Sequence, residues 1–299
     1  MRRTLRAVLL SVLLVLAGAA TVTYTAQPFP SDPPFFFLQI SDPQFGMFTA
    51  DRSFDQETAN LSFVIAAANR LHPAFVVVTG DLVNKVGDAA QLAEFRRVTA
   101  QLAPDIPLRL VAGNHDVENT PTPATLAAYR SQMGPDRYSF TRGRFAGIVL
   151  NSSLIAAPEG APDEASAQSR WLTGELAQLR RTGHDPVVVF QHHSWFLQTA
   201  DEPDNYFNIP RTRRDDYLAR FRAAGVRWLF AGHYHRNALG HDGPIEMVTT
   251  GPVGMPLGES TQSGVRVVSV HDGQISHRYF ALGELPNRLN PDGTVPTAQ

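Results

Sequence analysis

From Phe35 onward, short apolar runs alternate with stretches whose apolar residues return at helical spacing. The runs FFFLQI (35–40), FVVVT (75–79) and LRLVA (108–112) read as strands, while Gln56–Leu71 and Ala89–Ala103 between them read as amphipathic helices. Beyond Tyr138 follow YSFT, FAGIVLNSS, a helix from about Ala165 to Arg181 and VVVFQ. A helix from Arg213 that Gly225 should stop, VRWLFAG and three further β-like runs complete the pattern. This order predicts an α/β fold. Asp88, with Gln91 three residues on, predicts an N-cap and capping box for the second helix. The sequence shows no internal repeat and no second boundary, so residues 35–299 are expected to form one domain.

The amino terminus breaks the pattern. Arg2, Arg3 and Arg6 precede an apolar stretch, and AGA at 17–19 satisfies the small-residue cleavage rule. Residues 1–26 therefore read as a signal peptide, or as an uncleaved anchor, since no charge occurs from Ala7 to Phe29. Export to the periplasm or exterior is the expectation, and any membrane contact is expected through this segment alone. The paired Arg2–Arg3 hints at twin-arginine export, though the rest of that motif is poor. Residues 27–34, QPFPSDPP, are a proline-rich spacer.

Composition narrows the chemistry. The absence of cysteine removes disulfides, thiolate metal sites and a cysteine nucleophile, so a metal would need oxygen and nitrogen ligands. A net charge of −2 offers no basic stripe for nucleic acid, and Arg211, Arg213 and Arg214 are followed directly by Asp215 and Asp216.

Five apolar runs end in metal-type ligands. FLQISDPQ leads to Asp42 and Gln44, VVVTGDLVN to Asp81 and Asn84, and LVAGNHD to Asn114, His115 and Asp116; VVVFQHH ends in His192 and His193, and WLFAGHYH in His233 and His235. Alone, each fits an ordinary turn or a packed histidine, and since His192 and His193 alternate sides of the chain, one of them is expected to be a packed or solvent-facing histidine. Together they share one address, because ligands of open α/β sheets bind beyond the carboxyl ends of the strands. Such a set suits two divalent cations about 3.5–4 Å apart that activate a hydroxide and clamp an in-line displacement at phosphorus. Oxygen and imidazole donors favour Mn, Fe, Zn, Mg or Co, with Mn first.

In this order the residues resemble the calcineurin-like metallophosphoesterase superfamily, whose motifs are Asp-x-His, Gly-Asp-x-x-[Asp/Asn], Gly-Asn-His-[Asp/Glu], a lone His and Gly-His-x-His. DPQFG, GDLVN, GNHD, FQH, NYFNIP and AGHYHRN look most like the branch named calcineurin-like phosphoesterase domain-containing protein 1, which itself carries Asp-x-Gln. The resemblance implies a four-layer αββα sandwich of two mixed sheets. It implies Asp42, Gln44, Asp81 and His235 around one metal, and Asp81, Asn114, His192 and His233 around the other, with Asp81 bridging. It also implies a metal-bridging hydroxide as nucleophile and His115 beside the metals as a proton donor, oriented by Asn84 where relatives often have Asp. The expected reaction is phosphomonoester hydrolysis; phosphodiester or pyrophosphate hydrolysis on the same site, or metal binding without turnover, are the alternatives. Phosphoproteins and small phosphate esters are the candidate substrates.

Gln44 replaces the histidine of the first motif. Its amide oxygen is a weaker, harder donor than imidazole, which tilts the first metal toward Mn or Mg. It either ligates directly or holds a metal-bound water. Lys85 and Arg236, next to motif residues, are candidates to bind phosphate, and Tyr206, Phe207 and Asn208 to wall the pocket. TTGPVGMPLG (249–258) reads as a tight loop near the metals and lacks the P-loop arrangement. His72, His184, His241, His271 and His277 read as structural or exposed.

Overall fold

The computed structural model describes residues 32–258 and 261–296. In chain order the strands are β1 (Phe35–Ile40), β2 (Val76–Val78), β3 (Leu108–Leu110), β4 (Tyr138–Arg142), β5 (Phe145–Val149) and β6 (Val187–Phe190). β7 (Trp228–Ala231), β8 (Ala238–Asp242), β9 (Ile245–Thr249), β10 (Gly264–His271) and β11 (Gln274–Ala281) follow. The helices are α1 (Asp55–Leu71), α2 (Ala89–Thr99), α3 (Asn114–Val117), α4 (Pro123–Met133), α5 (Ser152–Ala156), α6 (Pro162–Arg181) and α7 (Arg211–Ala224). The expected leader, residues 1–26, lies outside the described residues. Among the described residues no helix is long and apolar enough to cross a membrane.

One sheet has the order β11-β10-β1-β2-β3 and the other β4-β5-β6-β7-β9-β8. β1, β2 and β3 run parallel, as do β5, β6, β7 and β9, whereas β10, β11, β4 and β8 pair antiparallel, so both sheets are mixed. The period-two pattern of β1 shows why two layers of strands must be covered on both sides. Phe35 and Phe37 join Phe75, Phe145, Phe190 and Phe230 between the sheets, with the Phe37 and Phe75 rings stacked at 4.5 Å. Phe36, Leu38 and Ile40 turn the other way, into a core with Leu61, Val64 and Ala68 of α1. On the far side, Val187, Val189 and Leu229 meet Leu172 and Leu176 of α6 and Leu218 and Phe221 of α7. Each such fully buried aliphatic or aromatic side chain contributes roughly 1.5–3 kcal/mol. The result is the αββα sandwich, with largely apolar central strands because neither face meets water.

Several local readings are corrected. FAGIVLNSS is not one strand: Val149 ends it, and the Asn151 side chain accepts the Leu154 N–H to open α5. α2 stops at Thr99 rather than Ala103, and four strands rather than three follow α7's partner β7. Asp88 does cap α2, accepting from the Ala90 and Gln91 N–H groups. The Gln91 side chain does not return to the cap; it accepts the Asn84 and Lys85 N–H groups instead. Gly225 ends α7 in the left-handed conformation, as expected.

Candidate metal centre

Beyond the carboxyl ends of β1, β2, β3, β6 and β7 the chain turns sharply, and these turns meet. Asp42 and Asp81 have φ of 50°, Gln44 39°, His233 65° and His235 53°, all in the left-handed region that side chains avoid. Two motif glycines explain how the turns pack so closely. A Cβ on Gly113 would collide with the Asp81 carboxylate and main chain, and one on Gly232 with Ser41 and Asp42.

The two aspartates are buried and anchored by main chain. Asp42 accepts the His233 N–H at 3.1 Å, and Asp81 Oδ1 accepts the His115 N–H at 2.9 Å. Asp81 Oδ2 is 3.2 Å from His192 Nε2, and Asp42 Oδ1 is 3.6 Å from His235 Nε2. Asp81, His192 and His233 place their donor atoms close enough to share one cation, and so do Asp42, Asp81 and His235; Asp81 belongs to both groups. Asn114 Oδ1 joins the first of these groups, at 3.0 Å from His192 Nε2.

Backbone carbonyls fix which nitrogen of each imidazole is free. His192 Nδ1 lies 2.8 Å from Thr79 O, His233 Nε2 3.0 Å from Tyr206 O, His235 Nδ1 2.6 Å from Met255 O, and His115 Nδ1 2.6 Å from Asn84 O. A carbonyl only accepts, so each of these nitrogens carries the hydrogen and the other offers a lone pair. His192 Nε2 and His233 Nδ1 then face each other at 3.1 Å, with Asn114 Oδ1 and Asp81 Oδ2 beside them. Four acceptors so placed require a cation or a proton among them. Without a metal the proton goes to His192: burial opposes its charge, but the Asp81 and Asp42 carboxylates outweigh burial and raise it to about 9. Burial and the neighbouring His192 charge push His233 down to about 3. Burial drives Asp81 upward, yet its histidine neighbours prevail and hold it well below the usual carboxylate range.

Gln44 completes the fit. Its Nε2 donates to Asn84 Oδ1 at 3.2 Å, while its Oε1, buried with the residue, has no hydrogen-bond partner. A buried, unsatisfied acceptor is costly. Carboxylate, amide and imidazole donors of this kind suit divalent cations of hard or borderline character, and the residues present fit such ions.

Other expectations are redistributed. His115 is oriented by the Asn84 carbonyl, not by its amide, because the amide is committed to Gln44 and Asp51. His193 is the packed one of the pair: it is buried and belongs to neither donor group, with its ring centroid 4.3 Å from that of His233 where the chain bends after β6. Ser152 Oγ accepts the N–H groups of both His192 and His193, so its hydrogen goes to His193 Nδ1 at 3.0 Å. Burial and two nearby histidines push His193 far below its ordinary range, and it stays neutral. Tyr206 is exposed, with its hydroxyl 3.4 Å from Asn114 Nδ2, and Phe207 packs between Tyr206, Tyr234 and His233. Asn208 is no pocket wall: it is buried and donates to Glu202 and Pro203 O, stapling its own loop. Lys85 and Arg236 are exposed, with the Arg236 guanidinium over the Tyr234 ring at 5.0 Å. The 249–258 loop lies against the centre, where Gly254 N–H meets Asp42 O and Leu257 N–H meets His235 O.

The chain matches the family described as calcineurin-like phosphoesterase over residues 37–237. It is 39% identical over 271 residues to a serine/threonine-protein phosphatase CPPED1 of Danio rerio, covering 85% of this chain and 87% of that one. Among solved structures it superposes on a dimetal phosphatase from Danio rerio with a TM-score of 0.56 at 16% identity, covering 84% of this chain and 100% of that one. GAP50, the anchor in the inner membrane complex of Plasmodium, gives a TM-score of 0.64 at 14% identity and 83% and 85% coverage. One fold thus carries both a phosphatase and an anchor, so the fold alone leaves the role open and the site must decide it. With its motifs, sheets and strand-end ligands in agreement, the chain belongs to the calcineurin-like phosphoesterase family, whose members are hydrolases.

Proposed function

We propose that this protein hydrolyses phosphomonoesters at a dinuclear metal centre, held by Asp42, Gln44, Asp81 and His235 on one side and by Asp81, Asn114, His192 and His233 on the other. The observation that carries the reading is the shared Asp81 between two donor groups whose histidine lone pairs converge. Two bound divalent cations would supply Lewis-acid polarisation of the phosphoryl group and a water acidic enough to attack at neutral pH.

The chain's own groups provide the rest. His115, held at Nδ1 by the Asn84 carbonyl, has the Nε2 lone pair free to take up a proton from solvent and pass it to the departing alkoxide or phenoxide oxygen. Asn114 Nδ2, beside the Tyr206 hydroxyl, is a donor for a phosphoryl oxygen. His193, locked neutral by Ser152, keeps its Nε2–H as a further donor at the edge of the site. Lys85 and Arg236 are free to attract the anionic substrate. The name of the Danio rerio relative supports phosphoserine and phosphothreonine as the substrate class.

The test is hydrolysis of a phosphoserine peptide, an aryl phosphomonoester and an aryl phosphodiester by protein stripped of metal and refilled with Mn. Mn-dependent release of phosphate from the monoesters, reduced on the order of 10³-fold by Asp81→Asn, is the expected result. Faster turnover of the diester overturns the monoester reading.

A further inference from the structure

We infer that Asp51 is a positioning residue for the metal centre: it sets the orientation of the Gln44 amide through Asn84, and with it the hardness of the first pocket. This rests on the dinuclear reading above.

The argument is a chain of donors and acceptors with a fixed direction. It begins at main chain, where Gln91 Oε1 accepts the Asn84 and Lys85 N–H groups at 3.0 and 2.9 Å. That leaves the Gln91 Nε2 group as the donor, and it gives a hydrogen bond of 2.7 Å to Asp51 Oδ1. A carboxylate has no hydrogen to offer, so Asn84 must present its Nδ2 to the same oxygen, which it does at 2.8 Å. Asn84 Oδ1 is thereby the atom left for Gln44, and Gln44 must answer with Nε2. The Gln44 oxygen, buried and without a partner, is what remains for a cation.

Without Asp51 both amides can rotate together. Asn84 Nδ2 would then face Gln44 Oε1, and the Gln44 NH₂ group, which repels cations, would turn toward the first pocket. Asp51 is thus the exposed end of a relay whose other end is buried among the metal ligands. Gly46 belongs to the same device: a Cβ there would come within 2.5 Å of Gln91 Nε2 and 2.8 Å of Asp51 Oδ1.

The test is titration of the metal-stripped protein with Mn(II) by calorimetry, using Asp51→Gly, which tolerates the left-handed φ of 65° at this position. The expected result is about tenfold weaker binding at one of two sites, the scale of losing an orienting partner of a metal ligand, with the other site unchanged. Asp51→Asn keeps an acceptor oxygen and should restore wild-type affinity. In a Gln44→Glu background, where either arm of the side chain is an oxygen, removing Asp51 should cost nothing further. An unchanged affinity in Asp51→Gly, no rescue by Asp51→Asn, or an equal loss in the Gln44→Glu background overturns the inference while leaving the dinuclear reading intact. Uptake of fewer than two Mn(II) ions by the wild-type protein sinks both.

Discussion

The imidazoles of the candidate centre and the Gln44 amide are oriented in different ways. Around His192 and His233, backbone carbonyls at Thr79 and Tyr206 choose the free nitrogen, so the orientation of the donors follows from the path of the main chain. Around Gln44 the orientation passes through the side chains of Asn84, Asp51 and Gln91 before it reaches main chain. Main-chain control is hard to alter by point substitution. Side-chain control can be retuned, and the contrast teaches that a metal pocket's selectivity need not reside in its ligands alone.

Three measurements sharpen or break this comparison. The largest effect is expected from truncation: His192→Ala should weaken Mn(II) binding at its pocket about 10²-fold and Gln44→Ala at the other about tenfold, read by calorimetry. Equal losses would erase the distinction between the imidazoles and the amide.

Next comes pH. His192 is raised to about 9 against an ordinary value of 6.5, because Asp81 and Asp42 outweigh the burial that opposes its charge. In protein stripped of metal, its stabilising contribution is complete below pH 6.5 and disappears as pH rises through 9. A cation at this pocket must displace that proton, so Mn(II) affinity should climb about tenfold per pH unit up to roughly pH 9. Thermal unfolding at pH 6.5 and 9, with and without Mn(II), checks both signs: the stripped protein should lose stability over this interval while the loaded protein gains. A flat response in the stripped protein would mean that His192 is neutral there.

The smallest effect is one of selectivity. Gln44→His places a nitrogen where the amide oxygen was and should shift the preference between Zn(II) and Mn(II) toward zinc by about tenfold or less. An unchanged ratio would show that Gln44 does not touch the first cation.

The candidate ligands could be read from the sequence because each follows an apolar run, and burial of both sheet faces made those runs largely apolar. β1 was readable to the residue from Phe35 to Ile40. α4 was not, since its Pro123 and Thr122 start signal sits in a segment with only Leu126 and Tyr129 buried and little helical contrast. Which of His192 and His193 would be the packed one was not legible, because alternation holds only while the backbone is extended and the chain bends after Phe190. Asp51 carries no motif; its role comes from a left-handed turn that folds it back onto Gln91, a contact forty residues away in sequence. Gln91 looked like a capping partner because local spacing was right, but the Asp88 N–H is already given to Lys85 O, and the Gln91 oxygen accepts the Asn84 and Lys85 N–H groups instead.

Five of the seven proposed ligands occupy the left-handed region of φ. At roughly 1–3 kcal/mol each, such residues together reach the order of the net stability of an entire domain. Glycine at any of them would relax the turn and remove a metal ligand in the same step. Variants selected only for surviving heat would therefore drift toward an inert protein at these positions, and selection for turnover is what holds the strained turns in place.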